Sequence, residues 1–199
     1  MPTKILKISE AALVEPGFST KGAVVDQPEG THQVIMGKHL TAGEPYHYED
    51  SHRLRIVPHR KVEKYLLNPG DILFTAKGAL NNPVILERLP EKTLAPSTFF
   101  ILKPRKNIDP YYLFWCICQP PFQAQINEIR TQSVSPMVPR KQFDELTIPI
   151  PDFETQKKIA HLGKLQQRER ELRGELLAET ERLQSALGSK IINSLVESK

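Results

Sequence analysis

Two runs of cations carry most of the chemistry this chain could perform. Residues 52–64 read HRLRIVPHRKVEK and hold five Arg or Lys, two His and one Glu. Residues 103–106 read KPRK and add three more charges. Such clusters neutralise phosphates and steer a polyanion to a surface, although either one alone also suits a solvated loop. The 199 residues carry a net charge of +4 with a pI near 9.0, so the distribution of charge says more than its total.

Catalytic constellations are not found. QPPF at 119–122 puts Gln119 where amino-methyltransferases carry an Asp or Asn to accept from the target amine, and no Gly-rich loop for a methyl donor precedes it. Asp71 and Asp152 follow Gly and Pro, but neither is followed at a useful distance by a Glu-x-Lys pair to hold Mg²⁺. A phosphate-binding loop, a zinc-protease motif and a Gly-x-Ser-x-Gly elbow are absent from the sequence. His32, His39, His47, His52 and His59 are scattered through turn-rich sequence and suggest no metal site. Cys116 and Cys118 sit two apart in an apolar run, which is neither a disulfide framework nor a zinc site. They read as reduced core residues of a cytoplasmic protein. The chain reads as a binder, not an enzyme, with no cofactor implied.

The elements that must position the cations divide near residue 150, because all seventeen prolines lie at or before Pro151. No run is long and apolar enough to span a membrane, and the start lacks the hydrophobic segment of a signal peptide. THQVIM, RLRIV, DILFTA, PVILER and STFFILK are β-branched or aromatic runs bounded by turn residues, as strands should be. NPGD at 68–71 is a turn: Pro69 presets its dihedral and Gly70 tolerates positive φ. DPYYLFWCICQ reads as a helix with Asp109 as N-cap and Pro110 in its first turn. PPFQAQINEIR reads as a second helix, and PRKQFDEL as a short third. The expected fold class is α+β, a mixed β-sheet domain at 1–151 followed by a long helical segment at 152–199.

From about Phe153 to Val196 the pattern is helical. Leu162, Leu165, Leu172, Leu176 and Leu183 form a heptad seam with gaps, since Glu169 and Glu179 take two seam positions. Beyond Leu183 the spacing becomes a steady four, at Leu187, Ile191 and Leu195, so the stripe rotates around the helix. A continuous helix of this length spans roughly 65 Å. Gly163, Gly174 and Gly188 each cost about 1 kcal/mol relative to Ala and are candidate kinks or breaks. A stripe this long asks for a partner helix, from its own copy or another protein. The alternative is a terminal hairpin folded back on the domain.

Three stretches carry a resemblance. KYLLNPGDILFTAKGALNNPVILE looks like the strand–turn–strand core of specificity subunits of type I restriction–modification enzymes, and DPYYLFWCICQPPFQAQI resembles their following helix pair. SVSPMVPRKQFDELTIPIPDFETQKKIAHL is the most telling: a loop, a short helix ending in Phe-x-x-Leu, then Ile-Pro-Ile-Pro and Gln-x-x-Ile. The resemblance runs from about Val34 to the C-terminus. It implies a target recognition domain that reads one half of a split site in double-stranded DNA. It also implies a long helix that spaces two such domains and docks the DNA methyltransferase (modification) subunits, with a restriction subunit where one exists. Usual members carry two recognition domains and two helices in one chain; this sequence carries one of each. The expectation is a half-length subunit acting as a homodimer with identical, inverted half-sites. A regulatory or orphan protein that associates through its helix without specific DNA binding is the rival.

Within that reading, Lys61, Lys64, Lys77, Lys103, Arg105, Arg140 and Lys141 are candidate phosphate contacts. His32, Gln33, His47, Arg53, Arg130 and Gln132 are candidate base readers. Leu162, Leu165, Leu172, Leu176, Leu183 and Leu187 are candidate self-association positions.

Overall fold

A computed structural model of the chain describes residues 3–78 and 81–197. Ala79 and Leu80, inside the first stretch of resemblance, lie outside the described residues. The elements run β1 (Lys4–Lys7), α1 (Ile8–Ala11), β2 (Ala12–Pro16), β3 (His32–Val34), β4 (Tyr46–His47), β5 (Arg55–Ile56), β6 (Ile72–Thr75) and β7 (Pro83–Arg88). There follow β8 (Thr93–Leu94), β9 (Phe99–Pro104), α2 (Pro110–Cys118), α3 (Pro120–Ile129), α4 (Arg140–Glu145), β10 (Thr147–Ile150) and α5 (Phe153–Glu197). The class is α+β. Contacts divide the chain into a unit at 1–160 and a second at 161–199, with the boundary inside α5.

The first unit is built on a five-stranded sheet of order β2-β9-β6-β7-β4. Its central strands are apolar on both faces. Ile72, Phe74, Ile85, Phe100 and Leu102 point to the side packed by α2, α3 and α4, where Leu113, Ile117, Phe122 and Phe143 complete the main core. Leu73, Val84, Leu86 and Ile101 point to the other side and pack with Ile35, Tyr46 and Leu67. Burial on both faces explains why DILFTA and STFFILK read as nearly continuous apolar runs. A smaller sheet, β5-β3-β8, carries its own cluster of Phe18, Val34, Ile56, Val62, Tyr65 and Leu94.

Local signals seat these strands. In the NPGD turn Gly70 takes φ +90, and the Asp71 carboxylate accepts from the Asn68 N–H at 2.9 Å. Burial pushes the Asp71 carboxyl up, against that hydrogen bond. Gly17 allows the chain to pass against Pro96: a Cβ there would lie 2.1 Å from the Pro96 carbonyl oxygen. That passage drops Phe18 into the small sheet's cluster.

The C-terminal part of the first unit explains the Ile-Pro-Ile-Pro pattern. β10 pairs antiparallel with β1, Ile148 opposite Leu6 and Ile150 opposite Lys4. Ile148 and Ile150 face inward while Pro149 faces out of a two-stranded edge, where its missing N–H leaves no inner ladder broken. The Asp152 carboxylate then caps α5, accepting from the Thr155 N–H at 3.0 Å and its hydroxyl at 2.7 Å. Those bonds hold the Asp152 carboxyl below the usual carboxylate range. The Gln of Gln-x-x-Ile is Gln156, which is buried; its amide oxygen accepts from the Asp109 N–H at 3.0 Å. Its amide nitrogen donates to the carbonyls of Asn107 and Pro151. Asp109 in turn caps α2 through the N–H groups of Tyr111 and Tyr112, both at 2.9 Å.

Some expectations are corrected. The stretch before residue 17 holds β1, α1 and β2, which the sequence alone did not mark. THQVIM and RLRIV contract to three and two strand residues. α5 is a single helix, so the hairpin alternative falls. Gly163, Gly174 and Gly188 do not interrupt it, because intrahelical bonding on both sides outweighs about 1 kcal/mol per glycine.

Candidate nucleic-acid interface

The run at 52–64 is not a free loop. It supplies β5 and the Ile56 and Val62 side chains to the small sheet's cluster, with Tyr65 just beyond it, while its cations turn outward. Arg53, Arg55, Arg60, Lys61 and Lys64 are all exposed, and none joins an ion pair among the described residues. Two are fixed on aromatic faces: the Arg60 guanidinium carbon lies 5.2 Å from the Phe18 ring centre and 5.3 Å from that of Tyr65. Lys64 Nζ lies 4.9 Å from the Tyr65 ring centre. The His59 ring tilts against Phe18 at 5.3 Å. Phe18 and His59 also line an open cleft of about 340 Å³ with Lys21 and Gln27.

A second grouping surrounds the loop at 131–137. The loop is clasped at its base: the Thr131 N–H donates to the Met137 carbonyl at 3.0 Å, and the Met137 N–H to the Thr131 hydroxyl at 2.9 Å. Gln132 and Val134 are exposed on it. Lys77 forms a bridge with Met137, and the Gly78 N–H donates to the Pro136 carbonyl. Lys77, Arg130 and Gln132 are thus drawn to one end of the five-stranded sheet. The Thr98 carbonyl accepts from the Lys77 N–H, and four residues before Thr98 stands Leu94 of the small sheet's cluster. Four virtual bonds separate Leu94 from Thr98, so their Cα atoms lie within about 15 Å.

Other candidates serve the framework. Gln33 is 3 % exposed; its amide donates to the His52 carbonyl at 2.8 Å and accepts from the Leu54 N–H. Its polar atoms hold β3 to the 52–54 segment. Lys103 donates to the Leu66 carbonyl at 3.1 Å and Arg105 to that of Ser9 at 3.2 Å. Arg140 donates to the Val14 carbonyl and pairs with Asp144 at 3.7 Å. These three tie strands and helices together, while Arg105 and Lys106 of the KPRK run remain exposed. Lys141 is exposed in the first turn of α4. His32 bonds the Thr31 hydroxyl at 2.9 Å, and burial followed by the Lys92 charge lowers its pKa.

Sequence reasoning missed two arrangements. His47 does not stand alone: its Nε2 lies 3.0 Å from Glu87, whose other oxygen accepts from the Tyr111 hydroxyl. His39 and His52 stack at 4.9 Å, with Tyr46 stacked on His52 at 5.6 Å. Neither is legible from spacing, because the partners meet only in the folded chain: His47 and Glu87 through the β4–β7 pairing, and His39 and His52 through two short helical turns. Metal ligation finds no support: among the described residues no three His, Cys, Asp or Glu groups come together as a metal site would need. Gln119 closes the α2–α3 junction by donating to the Trp115 carbonyl at 2.9 Å. Cys116 and Cys118 form no disulfide, and burial pushes the Cys116 thiol up to about 11.

In the second unit, ion pairs link Arg168 to Glu171, Arg173 to Glu169 and Arg182 to Glu179 along the helix. Leu162, Leu165, Leu172, Leu176, Leu183 and Leu187 are between 47 and 68 % exposed. No helix among the described residues is long and apolar enough to cross a membrane.

The chain thus joins, in sequence, a mixed-sheet domain with clustered cations to a long helix. Residues 41–182 match the type I restriction modification DNA specificity domain, and the chain belongs to that family. It is 32 % identical over 106 residues to the specificity subunit assigned to the type I restriction enzyme MjaX of Methanocaldococcus jannaschii. That match covers 51 % of this chain and 25 % of the relative. Among solved structures, a chain from a study of complex assembly and conformational transition of the type I R-M system superposes with a TM-score of 0.68 at 16 % identity. It covers 91 % of this chain and 43 % of that one. The HsdS subunit from Thermoanaerobacter tengcongensis superposes with a TM-score of 0.61 at 15 % identity, covering 85 % of this chain and 38 % of its own. These superpositions establish the shared fold. The chain spans a quarter of the curated relative and about two-fifths of the solved chains.

Proposed function

We propose that this chain is the DNA-recognition part of a type I restriction–modification complex, acting as a half-subunit that pairs with a second copy. The first unit binds double-stranded DNA. Exposed Arg53, Lys61, Lys64 and Lys77 contact phosphates or base edges, and Arg130 and Gln132 read bases from the clasped loop. His32 and His47 stand as further base contacts. Lys141 adds a phosphate contact, and Lys103, Arg105 and Arg140 contribute mainly by holding the surface in shape. The helix pairs through Leu162, Leu165, Leu172, Leu176, Leu183 and Leu187, and the pair docks a DNA methyltransferase subunit. Catalysis belongs to that partner.

The observation that carries the reading is the family match together with the five unpaired cations on the small sheet. Burying polar side chains of the framework while leaving cations exposed and uncompensated suits a polyanion. The test is affinity purification of the tagged full chain from its own cells, with mass spectrometry. Recovery of a DNA methyltransferase subunit supports the reading. Recovery of the chain alone, with no duplex affinity, favours the regulatory alternative.

A further inference from the structure

Arg60 is set apart from its neighbours Lys61 and Lys64 by its two ring contacts. It is exposed, yet its guanidinium sits over two rings that are themselves buried. Those rings meet edge to face at 5.5 Å, forming a wedge with little room for rearrangement. Phe18 is seated by the Gly17–Pro96 passage and by two backbone bonds: its N–H donates to the Ala95 carbonyl at 2.7 Å, and its carbonyl accepts from the Ser97 N–H at 3.0 Å. Tyr65 is held by a short helical turn whose backbone N–H donates to the Val62 carbonyl at 2.7 Å.

We propose that Arg60 is a preorganised base reader that presents the forked edge of its guanidinium to a guanine in the major groove. This rests on the reading of the first unit as a DNA-recognition domain. The guanidinium carbon is anchored 5.2 and 5.3 Å from two ring centres whose planes stand 75° apart, and its forked N–H donors match O6 and N7 of guanine in a bidentate pair. Orientation decides between base and phosphate. A phosphate accepts from many directions and is served by exposed lysines such as neighbouring Lys61. A base edge rewards a donor fork fixed before binding, and the wedge of Phe18 and Tyr65 supplies that fixation. The rings act as positioning residues, and of these three side chains only that of Arg60 touches the DNA.

The test is selection from a randomised duplex library by the full chain, comparing wild type, R60K, R60A and K61A. R60K keeps the charge over the same rings but loses the fork, so it separates geometry from charge and folding. The wild type is expected to select a consensus that contains guanine. R60K and R60A should lose preference at one guanine by roughly 5- to 150-fold while keeping the remaining positions. K61A should keep the consensus and lower the slope of log affinity against log salt by about one. A consensus unchanged in both Arg60 variants overturns the proposal while leaving DNA recognition standing. R60K behaving as wild type, with only R60A losing salt slope, makes Arg60 a phosphate contact and also overturns it. A wild type that selects no consensus defeats the DNA-recognition reading, and this proposal with it.

Discussion

Protonating His39 costs the folded chain something that neutral solution hides. Burial, then the charge of His52, then that of Lys38, lower its pKa below the ordinary 6.5. Its ring stacks on His52, and its Nδ1 accepts from the Met36 N–H at 3.2 Å, which an imidazolium could no longer do. The unfolded chain then binds the proton more readily than the folded one. Stability from this group is present above about 6.5 and is lost as pH falls from there towards the lower folded value. His32 shifts in the same direction and adds to the slope. Thermal unfolding of wild type should weaken between about pH 7.5 and pH 5.5, and H39Q should flatten part of that loss. An identical slope in H39Q would mean the stacked pair is not where the proton enters. Arg60 shows the limit of reading at this scale. Its charge is plain in the sequence, but nothing near it announces Phe18, which arrives from far upstream through a glycine passage.

Elements were legible wherever local chemistry fixes them. Asp109-Pro110 opened α2, the NPGD turn led into β6, and Ile-Pro-Ile-Pro became β10 followed by the Asp152-capped helix. β1 was not legible, because it is a strand only through pairing with β10 from the opposite end of the unit. β4 and β8, two residues each, carry too little pattern to be read. Gln33 was opaque for a related reason: it is the middle residue of β3, the central strand of the small sheet, and only the fold shows that neighbouring backbone groups bond its amide. Gln156 is the strongest element-scale prediction. Q156A leaves the Asp109 N–H and the Asn107 and Pro151 carbonyls short of a partner, which should cost about 1–3 kcal/mol in denaturant unfolding. A loss well under 1 kcal/mol would show that water replaces the amide and that this residue does not lock α5 to α2.

For the whole molecule, the stripe of leucines sets the question. A helix bearing half-exposed leucines over most of its length gains by covering them with another helix. Its intrahelical ion pairs are exposed and contribute only a few tenths of a kcal/mol each. Sedimentation should find wild type as a dimer, and the double change L172E and L176E should give a folded monomer. A wild type that stays monomeric at high concentration ends the symmetric-dimer proposal. Pairing would also set the shape of the DNA site, since two copies of one recognition unit read two identical, inverted halves.

Those lines meet in one measurement: a map of adenine methylation across the genome of the source cells, with and without the gene for this chain. The half-subunit account predicts that one inverted, two-part sequence loses its methylation when the gene is removed, and regains it when the gene is restored. Methylation that is the same in both strains would contradict it, and would leave the chain a member of the specificity family that directs no methyltransferase.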